Sequence, residues 1–453
     1  MKKRVIAYLL FGTVLLCNFG CGKYLDEKSD KKLVVPSTLQ DLQSILDHYS
    51  KNVFSEPGSG EVSSTDYYLT DAHYNALSRE SLRRMYRWES DYLFEPASNE
   101  WTYGYTSVYS ANAVLIDIDK VETNSSNLDT WKDIKGQALF IRAKAHLKMA
   151  FIWTLAYDEE TADEDLGLPL RLTTDFNEKS RRSTLGETYA QIISDLKGSA
   201  QLLPEKVSHA VRPSRPAAYA LLARTYLSMR RYEEAGAYAD SCLQLYSTLI
   251  DYNTITVSAN YPFRQFNEET IHFGVIGTPA PINPSRAKID PDLYALYSEN
   301  DIRKIAFFRR NTDGTTYAFK GNYTGTLAPF DGVSTNELYL IRAESYARQG
   351  KTTEALQDLN DLLTKRHTDT FIPLTASSAS VALDLILLER RKELLMRGLR
   401  WMDIKRLNKE GAGITLKRTV DGVEYTLPPN DLRYALPIPE DVITLSGIEQ
   451  NKR

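Results

Sequence analysis

One spacing of small and aromatic residues recurs along this 453-residue chain, and it dictates helices that pack in close pairs. The clearest copy reads Tyr219-x2-Leu222-Ala223-x2-Tyr226, then Tyr232-x2-Ala235-x3-Ala239-x2-Cys242-Leu243. Apolar residues three and four apart share one helix face. Ala223 and Ala235 let two backbones approach closely, and Tyr226 fills the groove beside them. A second copy runs Tyr339-x3-Ala343-x2-Tyr346-x3-Gly350, then Ala355-x3-Leu359-x2-Leu362-Leu363. A third and more divergent copy holds Leu139-x3-Ala143-x2-His146 in a helix predicted from about Trp131 to Tyr157. Its partner opens on the capping box Thr184-x2-Glu187 and passes Tyr189, Ile193, Leu196 and Leu203 to reach Pro204. The stretch Trp101 to Val121 predicts the start of a fourth pair.

This spacing is that of tetratricopeptide repeats. Ala143, Ala223 and Ala343 nevertheless stand 80 and 120 residues apart, which excludes a tandem array with its period of about 34. The expected fold is mainly α: a tetratricopeptide-like superhelix of pairs over about 101–157 with 184–204, then 216–246, then 335–366. Long irregular excursions separate the pairs. Lys51 to Asn99 is rich in Ser, Tyr and charge, Asp158 to Ser183 is an acidic connector, and 249–332 carries Pro279, Pro281, Pro284 and Pro291. Excursions this long within a compact chain are usually functional or mobile. Near the end, Ile414–Val420 and Val423–Leu427 flank Asp421-Gly422, the signature of a small β-hairpin with a type I′ turn. His146 and Cys242 fall at packing positions of the repeat and are expected in the core.

The N-terminus sets the compartment. Lys2, Lys3 and Arg4 precede an apolar run from Val5 to Cys17. Thirteen helical residues cover about 20 Å, short of a hydrocarbon core of about 30 Å, so residues 1–20 read as a secretory signal peptide. Small Gly20 directly before Cys21 fits lipoprotein processing, with acylation of Cys21, and the charged residues 21–32 then form a tether to a single domain over 33–453. With Cys21 acylated, Cys242 is the one thiol left, so no disulfide framework supports the fold.

Fifty-five Lys and Arg against 59 Asp and Glu give a formal charge of −4, and no basic excess exists to neutralise nucleic-acid phosphates. The sequence contains no Gly-rich phosphate loop followed by Lys-Ser/Thr, no His-Glu-x2-His, no Cys-x2-Cys pair and no Gly-x-Ser-x-Gly elbow. Catalysis, a metal and a cofactor are therefore not expected. The charged run Glu389 to Arg406 invites a catalytic reading, but Glu389 and Glu393 share a helix face with Arg390 and Lys392 nearby. It reads as a structural junction, with Gly398 stopping the helix in a left-handed cap and Trp401 burying against it.

Taken in order along the chain, these features resemble the SusD/RagB family of surface lipoproteins. Cys21-Gly22-Lys23-Tyr24-Leu25-Asp26 is similar to the family's opening, and Trp101-x3-Tyr105-x6-Asn112 to its Trp/Tyr/Asn helix. Arg142-Ala143 and Arg342-Ala343 match its Arg-Ala helices. Asn267-Glu268-Glu269-Thr270-Ile271 and Asp301-Ile302-Arg303 are similar to its middle signatures. Most specific is Glu389-Arg390-x2-Glu393-Leu394-x3-Gly398-x-Arg400-Trp401-x-Asp403-x2-Arg406, followed by Pro437-Ile438-Pro439-Glu440 and Gln450-Asn451. Arg397 departs from the acidic residue common before that glycine. The resemblance implies a lipid-anchored protein on the outer face of the outer membrane, partnered with a SusC-like TonB-dependent barrel. It implies binding of an oligosaccharide, or of a peptide as in RagB-like members, without catalysis. An envelope scaffold that binds proteins through its helix pairs is the alternative.

A sugar offers apolar CH faces to aromatic rings and hydroxyls to Asp, Asn or Arg. Asp66-Tyr67-Tyr68, with Asp71 and Tyr74 nearby, supplies that combination in an irregular segment. Trp101 and Tyr103 open the following helix, and Tyr261, Phe263, Tyr317 and Tyr323 lie on the long excursion. These are the expected ligand-binding residues. Because the tether holds no other apolar anchor, Cys21→Ser is expected to release the protein from membranes. Retention of that variant after a high-salt wash, in cells lacking any partner barrel, would count against the lipoprotein reading.

Overall fold

A computed structural model describes residues 36–48, 52 and 56–453; the signal sequence, Cys21 and the tether lie outside them. Among the described residues the short helices α1 (Leu39–Leu46), α2 (Ser59–Ser63), α3 (Asp71–Asn75) and α4 (Glu80–Tyr86) come first. Five longer ones follow: α5 (Glu100–Ile118), α6 (Leu128–Trp153), α7 (Leu185–Leu202), α8 (Arg215–Ser228) and α9 (Tyr232–Leu245). The long excursion contributes only α10 (Pro291–Ala295) and α11 (Arg303–Ala306). Then come α12 (Thr335–Arg348), α13 (Thr352–Thr364), α14 (Ala379–Glu393), α15 (Arg400–Lys409) and α16 (Glu440–Ser446). The strands are β1 (Tyr67–Tyr68), β2 (Thr270–His272), β3 (Lys288–Ile289), β4 (Phe308–Arg310), β5 (Tyr317–Phe319), β6 (Val333–Ser334), β7 (Leu416–Val420) and β8 (Val423–Leu427). They form four two-stranded sheets, β1–β3, β2–β6, β4–β5 and β7–β8, all antiparallel.

The helix pairs stand where the spacing predicts them, and the fold is mainly helical. In sequence order α5 packs on α6, α6 on α7, α8 on α9, α9 on α12 and α12 on α13. Ala143, Ala223, Ala235 and Ala343 are fully buried at these contacts. A Cβ on Gly236 of α9 would fall 2.1 Å from Ser345 Oγ of α12, so these two helices touch where a side chain would separate them. Tyr226 lies parallel to Tyr238 at 5.5 Å, filling the groove beside Ala223. The capping box forms: Thr184 Oγ1 accepts from Glu187 N–H at 3.1 Å, and Glu187 accepts from Thr184 N–H at 2.9 Å. The sequence places the end of α6 at Tyr157, whereas it ends at Trp153, where Thr154 turns extended and its hydroxyl bonds Ala150 O. His146 and Cys242 are buried; burial pushes the thiol upward and holds the imidazole down to about 3.

The hairpin β7–β8 turns on Asp421 and Gly422, both left-handed at φ 48° and 78°, as a type I′ turn requires. The excursion 249–332 is less open than its prolines suggest. Tyr252, Phe263, Phe307 and Tyr323 form a buried aromatic cluster with centroid spacings of 4.8 to 6.2 Å. The C-terminal part closes on α6: Leu436 N–H donates to Ile152 O at 2.9 Å and Trp153 Nε1 to Pro437 O at 3.1 Å. Asn451 Nδ2 reaches Trp153 O and Leu436 O at 2.9 and 2.7 Å.

The run Glu389 to Arg406 is a buried ionic junction. Glu389 accepts from Arg303 and Lys392, each at 2.7 Å. Glu393 accepts from Arg303 at 3.0 Å, from Arg366 at 2.8 Å and from Asn336 at 2.8 Å. Asp301 also pairs with Arg303; burial alone would raise its pKa, but the guanidinium overrides this and holds the carboxyl well below the usual range. Gly398 is left-handed at φ 68°, yet it does not cap α14, which ends five residues earlier at Glu393. Its N–H instead donates to the buried Glu61 at 2.9 Å. Trp401 does bury, donating Nε1–H to Tyr434 O at 3.2 Å. Removing one member of such a network leaves its partners charged and dry. Glu393→Ala, which takes one carboxylate each from the buried Arg303 and Arg366, is expected to cost about 3–5 kcal/mol in urea unfolding. A loss below about 1 kcal/mol would show that the junction is not structural.

Candidate ligand-binding surface

The start of α5 is a wall between two clefts. Asn99 caps it, its Oδ1 accepting from Thr102 N–H at 3.1 Å. The carboxylate of Glu100 accepts the N–H groups of Gly58 and Ser59 at 2.8 and 3.1 Å, tying α2 to α5. Tyr103, one turn further, is 42% exposed and its hydroxyl meets Ser98 Oγ at 2.7 Å. On this side α4, the α4–α5 loop and residues 277–280 enclose about 440 Å³, lined by Arg79, Leu82, Phe94, Glu95, Ser98 and Tyr103. On the other side a groove of about 500 Å³ holds Tyr105 and Tyr109, with Phe176 stacked on Tyr109 at 5.4 Å and 27°.

The α4–α5 loop is strained and pinned. Trp88, Tyr92 and Ala97 all adopt left-handed φ, at 56°, 54° and 63°. Each such residue costs of order 1–3 kcal/mol and persists only where its surroundings hold it. Trp88 Nε1–H donates to Ser63 O at 2.9 Å. Carboxylates at the start of α16 take the two other positions: Glu440 accepts from Tyr92 N–H at 2.5 Å and Asp441 from Ala97 N–H at 2.7 Å. The outcome is Tyr92 held out into solvent, 63% exposed, close to the cleft.

Most of the residues singled out from the sequence lie inside. Asp66 is buried and accepts from Arg391 at 2.8 Å. Tyr67 is 1% exposed, its hydroxyl donating to Val62 O at 2.8 Å and its ring lying 5.3 Å from the Arg418 guanidinium. Tyr74 is buried against Tyr86 at 5.7 Å, and burial pushes its phenol up to about 12. Trp101 meets Trp153 edge to face at 5.2 Å. Phe263 and Tyr323 belong to the excursion's aromatic cluster, with Tyr323 donating to Glu269 at 2.6 Å. These rings are buried and pack the core, and Trp101 among them also borders the groove of Tyr105 and Tyr109.

Besides Tyr103 in the cleft and the exposed Asp71, the expected residues Tyr68 and Tyr261 reach solvent. Tyr68, half-buried, faces out from β1 directly opposite Lys288 of β3. Tyr261 is 45% exposed beside a recess of about 280 Å³ with Asn260, Arg309 and Lys320. Tyr317 stacks on Tyr294 at 3.8 Å and 13°. The sequence reasoning passed over Tyr92, Phe94, Arg79, Tyr109 and Phe176. The first three lie in the irregular stretch Lys51 to Asn99, whereas nothing local distinguishes Tyr109 or Phe176 from packing aromatics.

This helix-pair superhelix is a fold shared with proteins of known structure. A family model described as starch-binding, associating with the outer membrane, matches residues 23–227, and one described as the SusD family matches residues 335–452. Among solved structures, a SusD superfamily protein from Bacteroides thetaiotaomicron is 22% identical, with a TM-score of 0.74 over 92% of this chain and 100% of its own. A SusD-like carbohydrate-binding protein from Bacteroides vulgatus is 21% identical, with a TM-score of 0.68 over 91% and 97%. A laminarin-binding SusD-like protein is 18% identical, with a TM-score of 0.65 over 90% and 97%. No curated protein matches the sequence. The chain belongs to the SusD/RagB family. Among the described residues no helix is long and apolar enough to cross a membrane.

Inner and outer rings are expected to separate by stability. Tyr67→Ala opens a buried cavity and is expected to cost about 3–5 kcal/mol. Tyr103→Ala and Tyr92→Ala remove exposed rings and are expected to stay within about 0.5 kcal/mol of the parent. Chemical denaturation of the three variants makes the comparison, and a neutral Tyr67→Ala would return that ring to the list of ligand contacts.

Proposed function

We propose that this protein is a cell-surface lipoprotein, anchored through Cys21 to the outer membrane, that captures a glycan and delivers it to a SusC-like TonB-dependent barrel. The observation that carries this reading is the open aromatic cleft at the head of α5 in a chain of this family. Tyr103, which lines this cleft, and Tyr92, exposed on the α4–α5 loop, would stack on the CH face of a sugar at about 0.5–1.5 kcal/mol per aromatic contact beyond the area covered. Around them Arg79, Glu95 and Ser98 offer donors and acceptors for sugar hydroxyls. Tyr68 and Tyr261 extend the same face.

Open contacts that cover one side of a sugar support affinities between about 1 mM and 1 μM, so oligosaccharides that touch several rings bind better than monosaccharides. Tyr92→Ala combined with Tyr103→Ala is expected to weaken oligosaccharide binding at least tenfold in calorimetric titration, with an unchanged thermal midpoint. Full affinity in that double variant would move the site away from α5. Loss of glycan uptake on deleting the partner barrel, with surface binding retained, is the expected sign of delivery.

A further inference from the structure

The segment from Thr278 to Lys288 runs along the ligand face and has cationic side chains on both sides. At one end, residues 277–280 share the α5 cleft with Arg79, and α4 packs on the turn Ala280–Ile282. In the middle, Asn283, Pro284 and Ser285 share the recess of Tyr261 with Arg309 of β4. At the other end, burial together with the nearby charges of Lys288 and Arg286 depresses the imidazole of His73. Arg79 and Arg309 are exposed and Arg286 is half-buried, and among the described residues none of the three carries an ion pair. The side chain of Lys288 is nine-tenths buried, yet its only ionic neighbour is Asp313 at 3.8 Å, beyond hydrogen-bond distance. His73 Nδ1 is buried and has no hydrogen-bond partner.

The acids bordering this face are already engaged. Glu80 pairs with Arg83 at 2.7 Å, Glu95 accepts from Ser81 at 2.5 Å, and Asp71 accepts from Asp421 N–H at 2.8 Å. Asp290 accepts the N–H of Asp292 at 2.9 Å, and Asp313 accepts the N–H groups of Thr315 and Thr316, each at 2.8 Å. In a chain of formal charge −4, this face therefore displays guanidinium groups without an ion-pair partner among the described residues, beside carboxylates held by neighbouring donors. An unpaired guanidinium is free to pair with an anionic group of a ligand.

We propose that the glycan taken by this face is anionic, and that Arg79, Arg286 and Arg309 pair with its carboxylate or sulfate groups. This inference rests on the glycan-binding reading. The guanidinium fork matches both anions in geometry, and Arg79 and Arg309 lie in the two recesses that the segment lines, with Arg286 on the segment itself.

The test is a binding screen of residues 22–453 against three sets of oligosaccharides: neutral, uronate-bearing and sulfated. The ligands found are expected to carry uronate or sulfate, and the two charged sets tell carboxylate from sulfate recognition. Their Kd is expected to rise about tenfold between 50 and 500 mM NaCl, as charge pairs are screened. Arg79→Ala, Arg286→Ala and Arg309→Ala together are expected to remove most binding at low salt without changing the thermal midpoint. The triple lysine variant, which keeps the charge, is expected to retain part of it. Ligands confined to the neutral set, or acidic ligands indifferent to the triple alanine change, would overturn the anionic assignment while leaving glycan binding intact. Binding to none of the three sets would overturn both.

Discussion

Arg303 has no exposure to solvent and three carboxylates around it, and much of the molecule is arranged to make that tolerable. A charge this deep is stable only with complete pairing. Its partners come from distant parts of the chain: Asp301 from the excursion, and Glu389 and Glu393 from α14. Glu393 hands on to Arg366, which pairs with Glu269 at 2.6 Å, and Glu269 accepts the hydroxyl of Tyr323. A parallel chain runs from Arg390 through Asp403 and Arg406 to Glu344 of α12. Few alternative arrangements of these segments could make all of these ion pairs, so the network fixes how the excursion sits on the helix pairs.

That rigidity explains how an irregular face can be specific. The excursion and the α4–α5 loop have little secondary structure of their own, yet both rest on elements that cannot shift. The loop's three left-handed residues are held by Ser63 and by the two carboxylates of α16. Exposed side chains such as Tyr92 and Tyr103 are therefore presented by a backbone with little freedom left to lose on binding.

The helical half of the fold was legible in the sequence because its determinants are local. Alanine and tyrosine at helical spacing, the Thr184–Glu187 box and Asp421-Gly422 each act within a few residues. The candidate site was not legible, because exposure of a tyrosine is decided from afar. Tyr67 and Tyr68 are neighbours on one strand and point to opposite sides, so one is core and the other half-exposed. What covers Tyr67 is Arg418 of β7, which also lies 3.7 Å from the Tyr86 ring centroid. Tyr92 points outward because Glu440 holds its backbone, a contact between residues far apart in the chain. Asp66 looked like a sugar ligand only while Arg391 was out of view.

Closure of the C-terminal part on α6 bears on when the molecule can become itself. Trp153 Nε1–H and the carbonyls of Ile152 and Trp153 find their partners only in Leu436, Pro437 and Asn451, close to three hundred residues later. Contacts of such sequence separation are entropically late in folding. A chain still being made has its helix pairs but an unsealed core around Trp153, and α16 has not yet arrived to set the loop that displays Tyr92. The candidate ligand face is thus among the last features to exist, since a nascent chain that has not yet extended past Glu440 lacks the carboxylates that hold Tyr92 and Ala97.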